Sequence, residues 1–207
     1  MMKDSGDIIM KIYDISQEVF SCKVYPGDDV PQKIEVLRME DGSSYNLTSF
    51  SMCAHNGTHI DAPFHFYKDG KTIESIDLNK VIGLAYVYEH QGDVTSSDAR
   101  MMVKVARKAN SEAMERILIK GDAVVTLEAA KVFVEEGILL IGNESQSVGP
   151  EDAPMAVHKE LLGAEVVLLE GICLDEVNEG VYLLNAAPLS LAGSDGAPCR
   201  AVLIDIE

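Results

Sequence analysis

Residues 45–66 read YNLTSFSMCAHNGTHIDAPFHF, an alternating run that passes directly into a cluster of histidines. Tyr45 to Ala54 alternates well enough to be a strand, and Lys33 to Met39 does the same just before it. The chain then changes character. His55, His59 and His65 are three of its five histidines, and Asp61 stands among them. Gly57, Thr58, Ile60 and Pro63 all disfavour a helix here. In an extended segment His59 and Asp61 project to the same side, and Gly57 lets the chain bend and bring His55 round to them. Two imidazoles and a carboxylate then converge, which is a ligand set for zinc, manganese or iron. Pro63 stiffens the exit and fixes the position of His65. A polar loop residue is the plain alternative for any one of these positions, but it does not account for the cluster.

Two positions further along are candidates to complete the site. His158 lies in an expected helix, Ala153 to Leu162, where a surface histidine is the ordinary alternative. Glu170 ends the apolar run Val166 to Leu169. A buried carboxylate there needs a partner, and a metal is one; a solvated strand terminus is the other reading.

The remaining pattern is that of one mixed domain. Strands are expected at Ile8–Ile15, Leu84–Glu89, Ile117–Lys120, Ile138–Ile141, Val166–Glu170, Val181–Leu184 and Ala201–Ile206. Helices are expected at Ser97–Lys108, with Ser96 or Ser97 as N-cap, and from Thr126 as cap through Glu136, where Gly137 stops it. The helix at Ala153–Leu162 ends at Gly163. Strands come first and then mix with helices, which is the order of an α/β or α+β fold.

Composition narrows the function classes. The 207 residues carry a formal net charge of -17, which repels phosphate backbones and anionic membranes, so neither nucleic acid nor membrane is an expected partner. No apolar run is long enough to span a bilayer. Cys22, Cys53, Cys173 and Cys199 are widely spaced and form no CxxC pair. A disulfide framework and a cysteine zinc site are therefore not expected, and a reduced cytoplasm is the natural compartment.

The pattern His55-x3-His59-x-Asp61-x3-His65 resembles the signature of the cyclase family of metal-dependent hydrolases, which includes bacterial kynurenine formamidase and isatin hydrolase. Asp14-Ile15-Ser16 with Tyr25-Pro26-Gly27-Asp28 resembles the family's first strand and loop. Residues 137–150, GILLIGNESQSVGP, and residues 192–198, AGSDGAP, with Arg200 resemble later family segments. The likeness runs from about Lys11 onward, leaving residues 1–10 as an N-terminal extension to a domain spanning 11–207. It implies a swivelling β/β/α arrangement with a mixed β core and flanking helices, assembled as a dimer or tetramer. It also implies two zinc ions, or manganese, held by His55, His59, Asp61, His158 and Glu170. Asp61 would reach both ions, Glu170 would bridge, and His65 would be the acid–base group. His90 matches nothing. Tyr25 stands where the formamidases place a pocket tryptophan, and Glu144 stands where an aspartate is usual.

The chemistry expected of such a site is hydrolysis of an amide, either an N-formyl arylamine or a small cyclic amide. A bound metal lowers the pKa of its water towards neutrality and stabilises the oxyanion formed by attack on the carbonyl. Proton transfer to the leaving nitrogen is work suited to an imidazole, here His65. The alternative is a metal-binding family member without turnover, which retention of His65 argues against.

Overall fold

A computed structural model describes residues 10–205. The expected extension, the first residues of the Ile8–Ile15 strand and Ile206 fall wholly or largely outside them. In chain order the strands are β1 Lys11–Asp14, β2 Gln32–Leu37, β3 Leu47–Ser51, β4 His59–Asp61, β5 Ile82–Glu89, β6 Gly92–Val94, β7 Arg116–Lys120, β8 Ala123–Val125, β9 Leu140–Asn143, β10 Val167–Glu170, β11 Gly180–Asn185, β12 Gly196–Pro198 and β13 Val202–Asp205. The α-helices are α1 Ser96–Ala109, α2 Leu127–Glu135 and α3 Met155–Gly163. None of the described helices is long and apolar enough to cross a membrane.

Nine strands form one sheet in the order β1-β13-β11-β5-β7-β9-β10-β4-β12. Its middle, β5-β7-β9-β10, is parallel, and its flanks are antiparallel. The parallel part needs crossover connections, and α1 and α2 supply two of them. The sheet curls on itself. Ser16, just past β1, bridges Ile172, just past β10, and the Cys173 amide donates to the Ile15 carbonyl at 2.9 Å.

Alternation in the middle strands sorts side chains into two cores. Leu118, Leu140, Val167 and Leu169 point inward to Ile60, Ala197, Leu184 and Leu203 from the curled flanks. Ile117, Ile119, Ile141 and Leu168 point outward, where Met102 and Val103 of α1, Phe133 of α2 and Leu161 and Leu162 of α3 cover them. The result is the expected mixed α/β domain, with the helices packed as one layer on the curled sheet.

The structure corrects several boundaries. Thr95, rather than Ser96 or Ser97, caps α1. Its hydroxyl accepts from the Asp98 amide while the Asp98 carboxylate accepts from the Thr95 amide, a reciprocal capping box. The α3 helix starts after Pro154 rather than at Ala153, and Gly163 forms its last turn rather than stopping it. The strand expected at Ile138–Ile141 lies two residues later. Gly142 permits this shift, since a Cβ there would meet Leu118 at 2.7 Å. Among the described residues, β2 and β3 pair only with each other, outside the main sheet.

Candidate active site

The short strand β4 organises the site. It runs between β10 and β12, antiparallel to both, with Glu170 opposite His59 and Gly196 opposite Asp61. Strand register therefore sets the carboxylate of Glu170 beside the imidazole of His59. Gly57 has φ 66°, the left-handed conformation that favours glycine, and its bend returns His55 to the strand that follows. Gly196 leaves room for the returning ring, because a Cβ there would lie 2.7 Å from His55 Cε1.

The side chains meet at close range. His55 Nδ1 lies 2.8 Å from Asp61 Oδ1. His59 Nε2 lies 3.4 Å from Asp61 Oδ1 and 3.3 Å from Glu170 Oε2. His158 Nε2 lies 3.2 Å from Glu170 Oε1 and 3.7 Å from Asp61 Oδ2. His59, Asp61, His158 and Glu170 are each at most 3% exposed. The ordinary alternatives for the last two, a surface histidine and a solvated strand end, do not hold. His158 is carried inward by α3, and Glu170 is held by the Val148 amide at 2.6 Å.

Two backbone carbonyls set imidazole tautomers. His59 Nδ1 donates to the Gly57 carbonyl and His158 Nδ1 to the Pro154 carbonyl, each at 3.0 Å. Both rings thus present Nε2 to the cluster, as metal-ligating histidines do. Burial opposes a charge on His55, but the Asp195 and Asp61 carboxylates outweigh it and push its pKa up to about 10. The same opposition at His59 is overcome by Asp61 and Glu170, again to about 10. Burial raises the Asp61 carboxyl, yet contact with His55 and His59 holds it well below the usual carboxylate range. Glu170 is raised by burial and by Asp61 but held below its ordinary value by His158 and His59. Two buried carboxylates this close need positive charge between them.

The residues fit a metal. Nitrogen and oxygen atoms of His55, His59 and Asp61 lie within 4.8 Å of one another, as do those of Asp61, His158 and Glu170. Asp61 belongs to both sets. His59 Nε2 and Asp61 Oδ2 are buried without a hydrogen-bond partner, and such atoms are uncommon unless a ligand completes them.

His65 is set back from this cluster. Its Nδ1 lies 2.9 Å from Asp195 Oδ2, and its ring centroid is 4.2 Å from that of His55. All six of these residues line one cavity of about 220 Å³, together with Tyr25, Asp28, Phe66, Gln146, Ser147 and Pro154. Tyr25 lies on this wall, and its hydroxyl donates to the Glu151 carbonyl at 2.6 Å. A wider depression of about 670 Å³ under β2 and β3 shares Asp28 with this cavity. His90, which matched nothing, bonds locally to the Asp93 carbonyl.

Asp195 is the residue that sequence reasoning missed. Its loop resembles a family segment, but an aspartate between Ser194 and Gly196 reads as turn chemistry. Only the pairing of β12 with β4 brings it to His55.

The profile of the family described as "Putative cyclase" matches residues 13–150. Over 205 residues the chain is 36% identical to the kynurenine formamidase of Bacillus cytotoxicus, covering 92% of this chain and 95% of that protein. It resembles a solved structure described as a potential metal-dependent hydrolase with cyclase activity, with a TM-score of 0.81 and 27% identity over 96% of this chain and 100% of the other. Isatin hydrolase A from Labrenzia aggregata, solved with benzyl benzoate, gives a TM-score of 0.80 over 96% and 94% of the two chains. At 20% identity that likeness is one of fold.

Proposed function

The chain belongs to the cyclase family, and we propose that it is a metal-dependent hydrolase cleaving a small amide, either an N-formyl arylamine or a cyclic amide. The observation that carries this reading is the pair of ligand sets sharing Asp61, whose second oxygen is buried and unpartnered. The 36% identity to a kynurenine formamidase supports amide chemistry. Nothing in the site favours the alternative of a metal scaffold without turnover. A scaffold has no use for His65, an imidazole on the cavity wall that belongs to neither of the Asp61 ligand sets.

In this reading His55, His59 and Asp61 hold one ion, and Asp61, His158 and Glu170 hold a second. The mixed nitrogen and oxygen donors suit zinc or manganese. When bound, the metal supplies Lewis acidity that polarises a carbonyl and activates water. The protein supplies the rest. The backbone carbonyls of Gly57 and Pro154 hold two imidazoles in the ligating tautomer. With Nδ1 directed at Asp195, His65 has Nε2 for the cavity, where it takes a proton from the attacking water and passes it to the leaving nitrogen, which departs poorly unprotonated. Phe66, Pro154 and Tyr25 form the less polar wall on which an aryl ring rests. Assembly as a homo-oligomer belongs to the same proposal, supported by Val36, Ile34 and Phe50, which β2 and β3 leave exposed. Four free cysteines suit a reducing compartment.

The test is a panel of N-formyl arylamines and cyclic amides assayed with zinc and with manganese. Turnover of at least one class is expected, and Tyr25→Ala should change the preference among them while sparing bound metal. No turnover across the panel with metal bound would refute the substrate class.

A further inference from the structure

The acidic residue between the metal cluster and the acid–base histidine makes two contacts with one atom. Asp195 Oδ2 lies 2.9 Å from His55 Nε2 and 2.9 Å from His65 Nδ1. A carboxylate oxygen only accepts, so both ring nitrogens must carry hydrogen. With Nε2 held by Asp195, the His55 nitrogen on the ligand-set side is Nδ1, 2.8 Å from Asp61 Oδ1, whose hydrogen a metal would displace, and His65 keeps Nε2 for the cavity. The orientations of two rings with different roles therefore hang on one oxygen.

The backbone around Asp195 is built to hold that oxygen in place. The Asp195 carbonyl accepts from the Ala62 amide at 2.9 Å, one residue past β4. The preceding Ser194 carbonyl accepts from the Ile73 amide at 2.9 Å, and the Ser194 hydroxyl donates to the Gly196 carbonyl at 2.7 Å. Gly196 then enters β12, opposite Asp61. The carboxylate is thus fixed from the same strand that carries Asp61. The side chain is 40% exposed, so its position comes from these bonds rather than from packing.

We propose that Asp195 is the positioning residue that couples the metal seat to the proton donor, orienting His55 and His65 together through a single oxygen. The proposal rests on the metal-hydrolase reading for the His55 arm, whereas the His65 arm requires only that His65 move a proton. Asp195 touches no reacting atom; it acts through the two rings.

The experiment uses the full chain, zinc, and hydrolysis of formanilide, with Asp195→Asn, Asp195→Glu, His65→Ala and the double variant Asp195→Asn with His65→Ala. Residues that support a metal ligand typically contribute about 10- to 100-fold to affinity or activity. Asp195→Asn should weaken zinc by roughly that factor in a chelator competition. With zinc saturating it should lower kcat by a similar factor and leave KM within about threefold. Asp195→Glu should recover part of both. The double variant should be no slower than His65→Ala alone, because the kinetic effect of Asp195 passes through that ring. Additive losses, or full zinc affinity and kcat in Asp195→Asn, would overturn the proposal.

Long-range proton–nitrogen correlation on the zinc-loaded wild type, labelled at histidine nitrogen, gives a reading that needs no variant to fold. It should show hydrogen on His65 Nδ1 and His55 Nε2, and the opposite tautomers overturn the coupling. Should wild-type hydrolysis prove independent of zinc, the metal reading falls. The coupling to a metal seat falls with it, and the kinetic cycle at His65 decides the remaining arm: non-additivity keeps Asp195 as the positioning residue of His65 and additivity overturns it.

Discussion

Two neighbouring stretches of chain look alike as strands and end in opposite environments. The hairpin of β2 and β3 is exposed on both faces, with Ile34 at 53% and Phe50 at 55%. The strand β4, eight residues beyond β3 and only three long, is buried throughout and carries His59 and Asp61 at 1% exposure each. Among the described residues the hairpin pairs only with itself, whereas β4 is hydrogen-bonded on both edges, to β10 and β12. Alternation finds strands, but burial is decided by how many neighbours a strand recruits. In this protein the chemistry goes to the strand that recruits two. A polar group there is expensive to leave unpaired and so must be matched by a ligand or a partner.

The contrast is broken first at the buried ligands. Asp61→Asn and Glu170→Gln each remove charge from a site that has no solvent to replace it. Metal affinity should fall by more than the roughly 10²-fold that supporting residues account for, with turnover lost in parallel. Elemental analysis after dialysis against a weak chelator reads this directly. Full metal occupancy in both variants would remove the binuclear assignment.

His65→Ala tests the edge of the same cluster. The residue is partly exposed and belongs to neither ligand set that includes Asp61. Metal content and folding should stay near normal while kcat drops about 10²- to 10⁴-fold. Loss of metal would make it a ligand instead, and unchanged kcat would end its acid–base role.

A pH series on the chelated protein sharpens the comparison further. His55 and His59 have folded pKa values raised to about 10, against roughly 6.5 unfolded. Groups raised in this way contribute stability that is fully present below the unfolded value and lost as pH rises through the folded one. The melting temperature of metal-free protein should therefore fall between about pH 6.5 and pH 10. Metal, taking the place of those protons, should bind more tightly over the same window. A flat melting profile without metal would show that the cluster is not charged as described.

The smallest effect belongs to the hairpin. Ile34→Ala, at an exposed position, should change stability by no more than about 0.5 kcal/mol. Ile60→Ala, at 0% exposure in β4, should cost about 2–5 kcal/mol. The Ile34 limit holds for the single chain; in the homo-oligomer proposed above Ile34→Ala should cause dissociation visible by light scattering, and unchanged assembly would exclude the hairpin from the interface.

How much was readable beforehand follows the same division. His55, His59, Asp61 and His65 were legible because rare residue types fall within eleven positions, where local geometry alone brings them together. His158 and Glu170 depended on resemblance, since a helix histidine and a strand-end glutamate have ordinary readings and only tertiary packing buries them. Asp195 lies 140 residues from His55, and no local pattern reports a pairing of β12 with β4. The cap of α1 is ambiguous in the sequence because Thr95, Ser96 and Ser97 all offer a hydroxyl, and only the spacing from Thr95 to Asp98 distinguishes them. The separation of β2 and β3 from the main sheet was likewise invisible, because alternation marks a strand but not its partner.

The central claim is that the buried cluster holds a catalytic metal. The most direct measurement strips the protein with a strong chelator and then returns zinc or manganese in steps, recording amide turnover and bound metal on the same samples. Turnover should vanish on stripping and return in proportion to the metal bound, reaching its plateau at the stoichiometry of the ligand sets that share Asp61. Undiminished hydrolysis by metal-free protein would contradict the account.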